Sequence, residues 1–276
     1  MDLAVEIERN VTLALAEDVG DGDLTAQLIP AESTTRATVI SRESAVLCGT
    51  QWFAACFRQL SPETNIRWLC QDGEPIAPNQ TLCEISGNAR ALLTAERPAL
   101  NFLQTLSAVA TQTRLYVNAV TGTGAMIVDT RKTLPGLRLA QKYAVTCGGG
   151  GNHRLGLYDG ILIKENHIIA AGGIEPALHM AGTIAPPGVF IQIEVETLEQ
   201  LRQALNAGAK MILLDNLDLA QLRYAVSLTA KRATLEASGG ITLENVRAVA
   251  ETGVDRISIG RLTKDIKAID LSMRFG

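Results

Sequence analysis

At 276 residues the chain is long enough for one large α/β barrel, or for a shortened barrel beside a second small domain. With 47% hydrophobic and 20% charged residues it has the balance of an ordinary globular protein, and no run approaches the ~18 uninterrupted apolar residues of a membrane span. A formal net charge of -4 argues against a nucleic-acid surface, but it leaves room for a local basic cluster that takes a small anion.

The opening residues, Met1 to Glu6, are acidic and amphipathic and lack the basic and apolar regions of a secretory signal, so a cytoplasmic location is expected. Leu3, Ile7, Val11 and Leu15 recur every four positions and predict a helix ending near Gly20. Strands are expected at 37–40, 45–48, 66–70 and 81–85, with one helix at 52–60, which reads as a separate α+β domain. A long helix from about Leu100 to Val120 leads into Gly122-Thr123-Gly124, where the pattern changes. Six β-branched apolar runs then alternate with helical segments, at 126–128, 160–163, 190–193, 211–214, 234–237 and 257–259. Such alternation predicts parallel strands, and six of them suit an incomplete α/β barrel better than a full eightfold one, with a doubly wound sheet as the alternative. The domains expected are therefore 1–121 and 122–276, with a C-terminal tail able to return to the first.

Each of the six runs is followed at once by polar residues or glycine: Asp129-Thr130-Arg131-Lys132, Lys164, Glu194, Asp215, Ser238-Gly239-Gly240 and Gly260. A single charge after a strand is commonly a solvated loop residue. Six in register point to one common mouth, because the C-terminal strand ends of an α/β barrel converge. Arg131, Lys132, His153, Arg154 and Lys164 form a cationic set suited to a doubly anionic small molecule, since arginine grips a carboxylate through two parallel hydrogen bonds. The run Gly148-Gly149-Gly150-Gly151 before Asn152-His153-Arg154 reads as a binding loop, with a flexible linker as the plainer alternative. Glu194 and Asp215 can hold magnesium or ribose hydroxyls, and Glu236 points the same way more weakly. Ser238, Gly239, Gly240, Ser258 and Gly260 lie on the last two strands, where barrels often cradle a phosphate.

Two other motifs carry no metal. Asp21-Gly22-Asp23 begins like a calcium loop, but Thr25-Ala26 breaks the pattern. Cys48, Cys56, Cys70, Cys83 and Cys147 include no C-x-x-C pair, and His167 and His179 have no partner at helical spacing, so buried free thiols and no zinc are expected.

Taken together, Glu17-Asp18 to Asp23-Leu24-Thr25, Glu96-Arg97, Ala99-Leu100-Asn101-Phe102, Asp129 to Gly136, Asn152 to Leu157, Ile163 to Ile168, Glu194-Val195-Glu196 and Leu214-Asp215-Asn216 resemble the quinolinate phosphoribosyltransferases. The resemblance covers nearly the whole chain. It implies an N-terminal α/β sandwich, a C-terminal incomplete six-stranded α/β barrel, and a homodimer in which each site borrows Arg97 from its neighbour. It further implies that Arg97, Thr130, Arg131, His153, Arg154 and Lys164 bind quinolinate. Lys132, Glu194 and Asp215 would surround phosphoribosyl pyrophosphate and its Mg2+, with Ser238, Gly239, Gly240, Ser258 and Gly260 around the 5′-phosphate. Two positions depart from the family pattern. Pro98 stands where threonine is usual and disfavours a helical backbone at Arg97, while Arg261 adds a positive charge after Gly260.

The residues alone leave two rivals open. A lysine ending a barrel strand can be an amine nucleophile, so Lys164 could serve a Schiff-base lyase or aldolase. A non-catalytic binder of an anionic metabolite would need the basic cluster but not both Glu194 and Asp215.

Overall fold

The structure is a computed structural model that describes residues 3–276. The chain divides into two compact units, one of Met1–Arg114, Thr133–Gly149 and Leu262–Gly276, the other of Leu115–Lys132 and Gly150–Arg261. The boundary expected from the sequence, 121/122, falls inside the second unit. The compact units instead divide at 114/115, and the first also takes in 133–149 and the tail.

In the first unit α1 (Leu3–Val19) buries Ile7, Val11 and Leu15 on one face, as the four-residue spacing requires. An antiparallel sheet has the order β12-β1-β5-β3, formed by β1 (Thr34–Ser41), β3 (Asn65–Trp68), β5 (Thr81–Asn88) and the C-terminal β12 (Leu271–Phe275). A second small pair joins β2 (Ala45–Val46) to β4 (Pro75–Ile76). The pairing of β12 with β1, from Ala37↔Phe275 to Ser41↔Leu271, is what ties the tail to this unit. Between them α2 (Thr50–Leu60) buries Trp52, Phe53 and Phe57. Trp52 Nε1 donates to Asn10 Oδ1 at 3.0 Å, so the indole is buried with its polar end satisfied.

The long helix α3 (Ala89–Ala119) begins well before Leu100, and Pro98 lies inside it. Proline lacks the backbone donor and crowds the preceding turn, a local cost of about 3 kcal/mol. Leu92, Ala95, Ala99, Leu100 and Leu103 around it are buried, and each buried leucine returns about 1.5–3 kcal/mol. Packing thus overrides the local preference, and Arg97 is helical and exposed.

The second unit holds six parallel strands in the order β6-β11-β10-β9-β8-β7. They are β6 (Met126–Val128), β7 (Gly160–Ile163), β8 (Phe190–Val195), β9 (Met211–Asp215), β10 (Thr234–Ser238) and β11 (Arg256–Ser258). The first unit's α4 (Arg138–Cys147) lies between β6 and β7 in sequence. Helices α5 (Glu165–Ala171), α6 (Ile174–Ile184), α7 (Leu198–Asn206), α8 (Leu219–Thr229) and α9 (Val246–Ala250) make the remaining connections. β6 pairs with β11 but not with β7, so the ring of strands is open on one side: an incomplete six-stranded α/β barrel. Gly151 covers part of that open edge, bridging Val128, donating to Ile127 O at 2.8 Å and accepting from Asp129 N at 3.2 Å. A Cβ at Gly151 would stand 2.7 Å from Met126 Sδ, so a side chain here would have to push aside the flexible end of Met126. Among the described residues no helix is long and apolar enough to cross a membrane.

Candidate active site

Side chains two apart on a strand share a face, and this rule assembles the site. Leu162 and Lys164, Leu213 and Asp215, and Glu236 and Ser238 line one cavity of about 270 Å³, together with Thr130, Arg131, Lys132, His153, Arg154, Glu194 and Ser258. All six strands contribute through their C-terminal ends. Gly239, Gly240 and Gly260 do not line it; they sit in the turns just beyond Ser238 and Ser258. Gly239 has φ +99, and a Cβ there would collide with the Asn216 side chain, whose amide donates to Asp215 Oδ2 at 2.8 Å.

The basic side is fixed from beneath. Asp129 is fully buried and accepts from Asn152 Nδ2 at 2.7 Å and from the His153 backbone at 2.8 Å, locking the end of the glycine run to β6. Asp159 accepts from the backbones of Leu155 and Gly156 at 2.8 and 2.9 Å. Between these two anchors Arg154 is held with Nη1 donating to Gly160 O at 3.1 Å. Burial, and next the like charge of Arg131, lower the pKa of Arg154. Arg131 Nε is buried without a hydrogen-bond partner. Two neighbouring guanidiniums in one cavity, one of them with an unmet buried donor, suit an anion.

His153 lines the cavity and is held at both ring nitrogens. Its Nδ1 accepts from the Arg154 backbone at 2.7 Å, which leaves the proton on Nε2, 2.7 Å from Gln192 Oε1. Gln192 Nε2 in turn donates to Glu236 Oε2 at 3.2 Å, and Arg256 Nε lies 3.5 Å from the same oxygen. With both ring nitrogens engaged and the ring at the cavity wall, His153 braces Arg154. Gln192, Glu236 and Arg256 complete this relay. Their sequence signal is a polar residue in the middle of an apolar parallel strand, as in Phe190-Ile191-Gln192-Ile193.

The acidic side is built from ion pairing. Lys164 Nζ lies 2.6 Å from Glu194 Oε2. Burial, then the charge of Glu194, raise the pKa of Asp215, with Lys164 and Lys132 opposing. Carboxylate oxygens of Glu194, Glu196 and Asp215 lie within 4.8 Å of one another, a set of hard oxygen donors that fits magnesium. The Lys132 backbone donates to Thr130 Oγ1 at 3.0 Å, which folds the Thr130-Arg131-Lys132 segment over the end of β6.

Residues 109–274 match the family described as "Quinolinate phosphoribosyl transferase, C-terminal domain", and residues 23–107 match its "N-terminal domain". The chain belongs to the quinolinate phosphoribosyltransferase family. It is 44% identical over 257 residues to a "Probable nicotinate-nucleotide pyrophosphorylase [carboxylating]" of Bacillus subtilis, covering 93% of this chain and 89% of that protein. It is 42% identical to the "Nicotinate-nucleotide pyrophosphorylase [carboxylating]" of Mycobacterium leprae, over 94% of each. The solved nicotinate-nucleotide pyrophosphorylase of Francisella tularensis superposes with a TM-score of 0.95 at 45% identity, covering 99% of this chain and 96% of that one.

Within this quinolinate phosphoribosyltransferase, the residues named from the sequence for the strand ends converge, with the glycines one turn removed. Arg97 stands apart from that set, exposed on α3 in the first unit. The acidic turn near Asp23 is structural: Asp23 Oδ1 accepts from the backbones of Thr25 and Ala26, and Oδ2 from the Thr94 hydroxyl.

Proposed function

We propose that the strand-end cavity joins the ring nitrogen of quinolinate to C1′ of phosphoribosyl pyrophosphate, releasing pyrophosphate and carbon dioxide and giving nicotinate mononucleotide for NAD biosynthesis. The observation that carries this reading is the opposition of two sides: the guanidiniums of Arg131, which has an unmet buried donor, and Arg154 line the same cavity as the carboxylates of Glu194 and Asp215. Arg131, Arg154 and Lys164 hold the two carboxylates of quinolinate, while His153 fixes Arg154. Thr130 positions the loop that carries Arg131.

As the C1′–O bond to pyrophosphate breaks, positive charge develops on the ribose, and Glu194 and Asp215 stabilise it electrostatically. Lys132 neutralises charge on the departing pyrophosphate. Magnesium arriving with phosphoribosyl pyrophosphate would be held by Glu194 and Asp215, with Glu196 beside them, and would offset the same charge. Ser238 and Ser258, with the backbones of Gly239, Gly240 and Gly260, take the 5′-phosphate. Once the ring nitrogen is quaternary, the 2-carboxylate leaves as carbon dioxide; the electron pair left on C2 is stabilised by the adjacent positive nitrogen and takes up a proton. Lys164 sits 2.6 Å from a carboxylate rather than among cations alone, which disfavours the Schiff-base reading.

The reading includes a homodimer in which Arg97, on the first unit, completes the neighbouring subunit's site, and a cytoplasmic setting, where free thiols such as the five found here stay reduced. The test of the reaction is incubation with quinolinate, phosphoribosyl pyrophosphate and magnesium, with nicotinate mononucleotide and carbon dioxide as the expected products. Nicotinate should react far more slowly, because it leaves one cationic group unpaired. Comparable turnover of the two acids would sink the dicarboxylate assignment.

A further inference from the structure

Cys48 and Cys147 are far apart in sequence, yet the first unit brings them together beside Asp72. Cys48 follows β2, Asp72 lies in the turn before β4, and Cys147 is the last residue of α4. The two sulfurs and a carboxylate oxygen of Asp72 all lie within 4.8 Å of one another. Around a tetrahedral zinc ion, with bonds of about 2.3 Å to sulfur and 2.0–2.2 Å to oxygen, such donors stand about 3.5–3.8 Å apart. Closing that gap takes movements of about 1 Å or less by side chains that already face each other.

From these positions we infer that Cys48, Asp72 and Cys147 form a binding site for a thiophilic divalent cation of the zinc type, separate from the strand-end cavity. The surroundings hold the donors in place. Asp72 Oδ1 accepts from the Thr50 backbone at 3.2 Å, and Oδ2 accepts from the Gly49 backbone at 3.1 Å and the Tyr143 hydroxyl at 2.9 Å. A carboxylate has about four lone-pair directions, so one remains for an ion. Arg114 donates to the carbonyls of Gly73, Cys147 and Gly148, pinning the turn that carries Asp72 to the end of α4. Outer hydrogen bonds of this kind orient ligands before a metal arrives.

Burial raises Cys48, as it raises Cys56 (to about 12), Cys70 and Cys83; only Cys147 is lowered, chiefly by a hydrogen bond from the Cys48 thiol. Cys48 is buried while Cys147 and Asp72 are part-exposed, which gives an ion a way in. Binding releases the protons of both thiols and leaves a fourth position to the Tyr143 oxygen or to water.

The test uses the full reduced chain, with Co2+ as the optical probe and Zn2+ as the competitor. One equivalent of Co2+ should give thiolate-to-cobalt charge-transfer absorption, abolished by stoichiometric Zn2+. Affinity should fall at least tenfold in Cys147→Ser and in Asp72→Asn, which keeps a capping oxygen, and stay unchanged in Cys70→Ser. Zinc should raise the unfolding midpoint of the unaltered chain and not that of Cys147→Ser. Cobalt held by Glu194, Glu196 and Asp215 has only oxygen donors and gives no such band, so the two sites are told apart. Absence of the band, or a band of equal strength in Cys147→Ser, would overturn the inference. Circular dichroism on each variant keeps misfolding from passing as loss of the site.

Discussion

The two sides of the cavity hold their charges by different means. On the basic side Arg154 is fixed by a carbonyl, a histidine whose tautomer is set by neighbours, and two buried or half-buried aspartates that grip the backbone. On the acidic side Glu194 and Asp215 rest on Lys164, Lys132 and the Asn216 amide, with less scaffolding beneath them. The first arrangement suits a rigid planar ligand, which gains most from donors fixed in advance. The second suits a flexible, highly charged ligand that brings its own cation and can rearrange a lysine pair on arrival.

The comparison breaks most visibly at the arginines. Arg131→Ala or Arg154→Ala should lower kcat/KM for quinolinate by about two to four orders of magnitude, since truncating one partner of a buried charge pair costs about 3–5 kcal/mol. Steady-state kinetics beside calorimetry should show loss of quinolinate binding with phosphoribosyl pyrophosphate binding retained. Glu194→Gln and Asp215→Asn should do the reverse, cutting kcat about a hundredfold, the scale of one removed electrostatic contact in a transition state. Quinolinate affinity measured by calorimetry should change by less than about threefold. If these variants lose quinolinate instead, the two sides have been assigned to the wrong substrates.

The shared-site dimer can be tested by mixing two inactive variants, Arg97→Ala and Lys164→Ala, unfolded and refolded together. Random pairing makes about half the dimers hybrids, each with one site holding both native residues, so activity should return to about a quarter of the unaltered enzyme. No recovery, with hybrids confirmed by mass spectrometry, places both residues in one chain's site. The smallest effect is expected at Gln192, which does not line the cavity. Gln192→Leu leaves the His153 Nε2–H and one Glu236 oxygen without their partner, lowering stability by about 1–3 kcal/mol in chemical denaturation and kcat/KM by about tenfold. Gln192→Glu should be worse, because it sets a second carboxylate against Glu236.

The six barrel strands were legible because strands buried on both faces read as unbroken apolar runs, and the chemical groups follow them directly. Thr130, Arg131, Lys164, Glu194, Asp215 and Ser238 could be placed for that reason. The first unit was read less completely. The start of α3 was hidden by Pro98, whose local preference points away from helix. The two-residue strands β2 and β4 lie below the length at which alternation can be seen, and β12 acquires its partner only through the return of the chain end to β1. The cysteine pair was invisible for another reason: it is made by contact between distant segments, and spacing along the chain carries no trace of it, while the relay under His153 leaves only the lone polar Gln192 in an apolar strand.

The bridge between Gly151 and β6 also bears on how copies of this protein behave together. An unpaired strand edge is a template for another chain's backbone, and an open barrel exposes one at β6. Gly151 occupies that edge with two backbone hydrogen bonds. The glycine-rich segment that reads as a binding loop therefore also caps the sheet edge, and a proline at 151, which removes the donor to Ile127, would be felt as aggregation at high concentration.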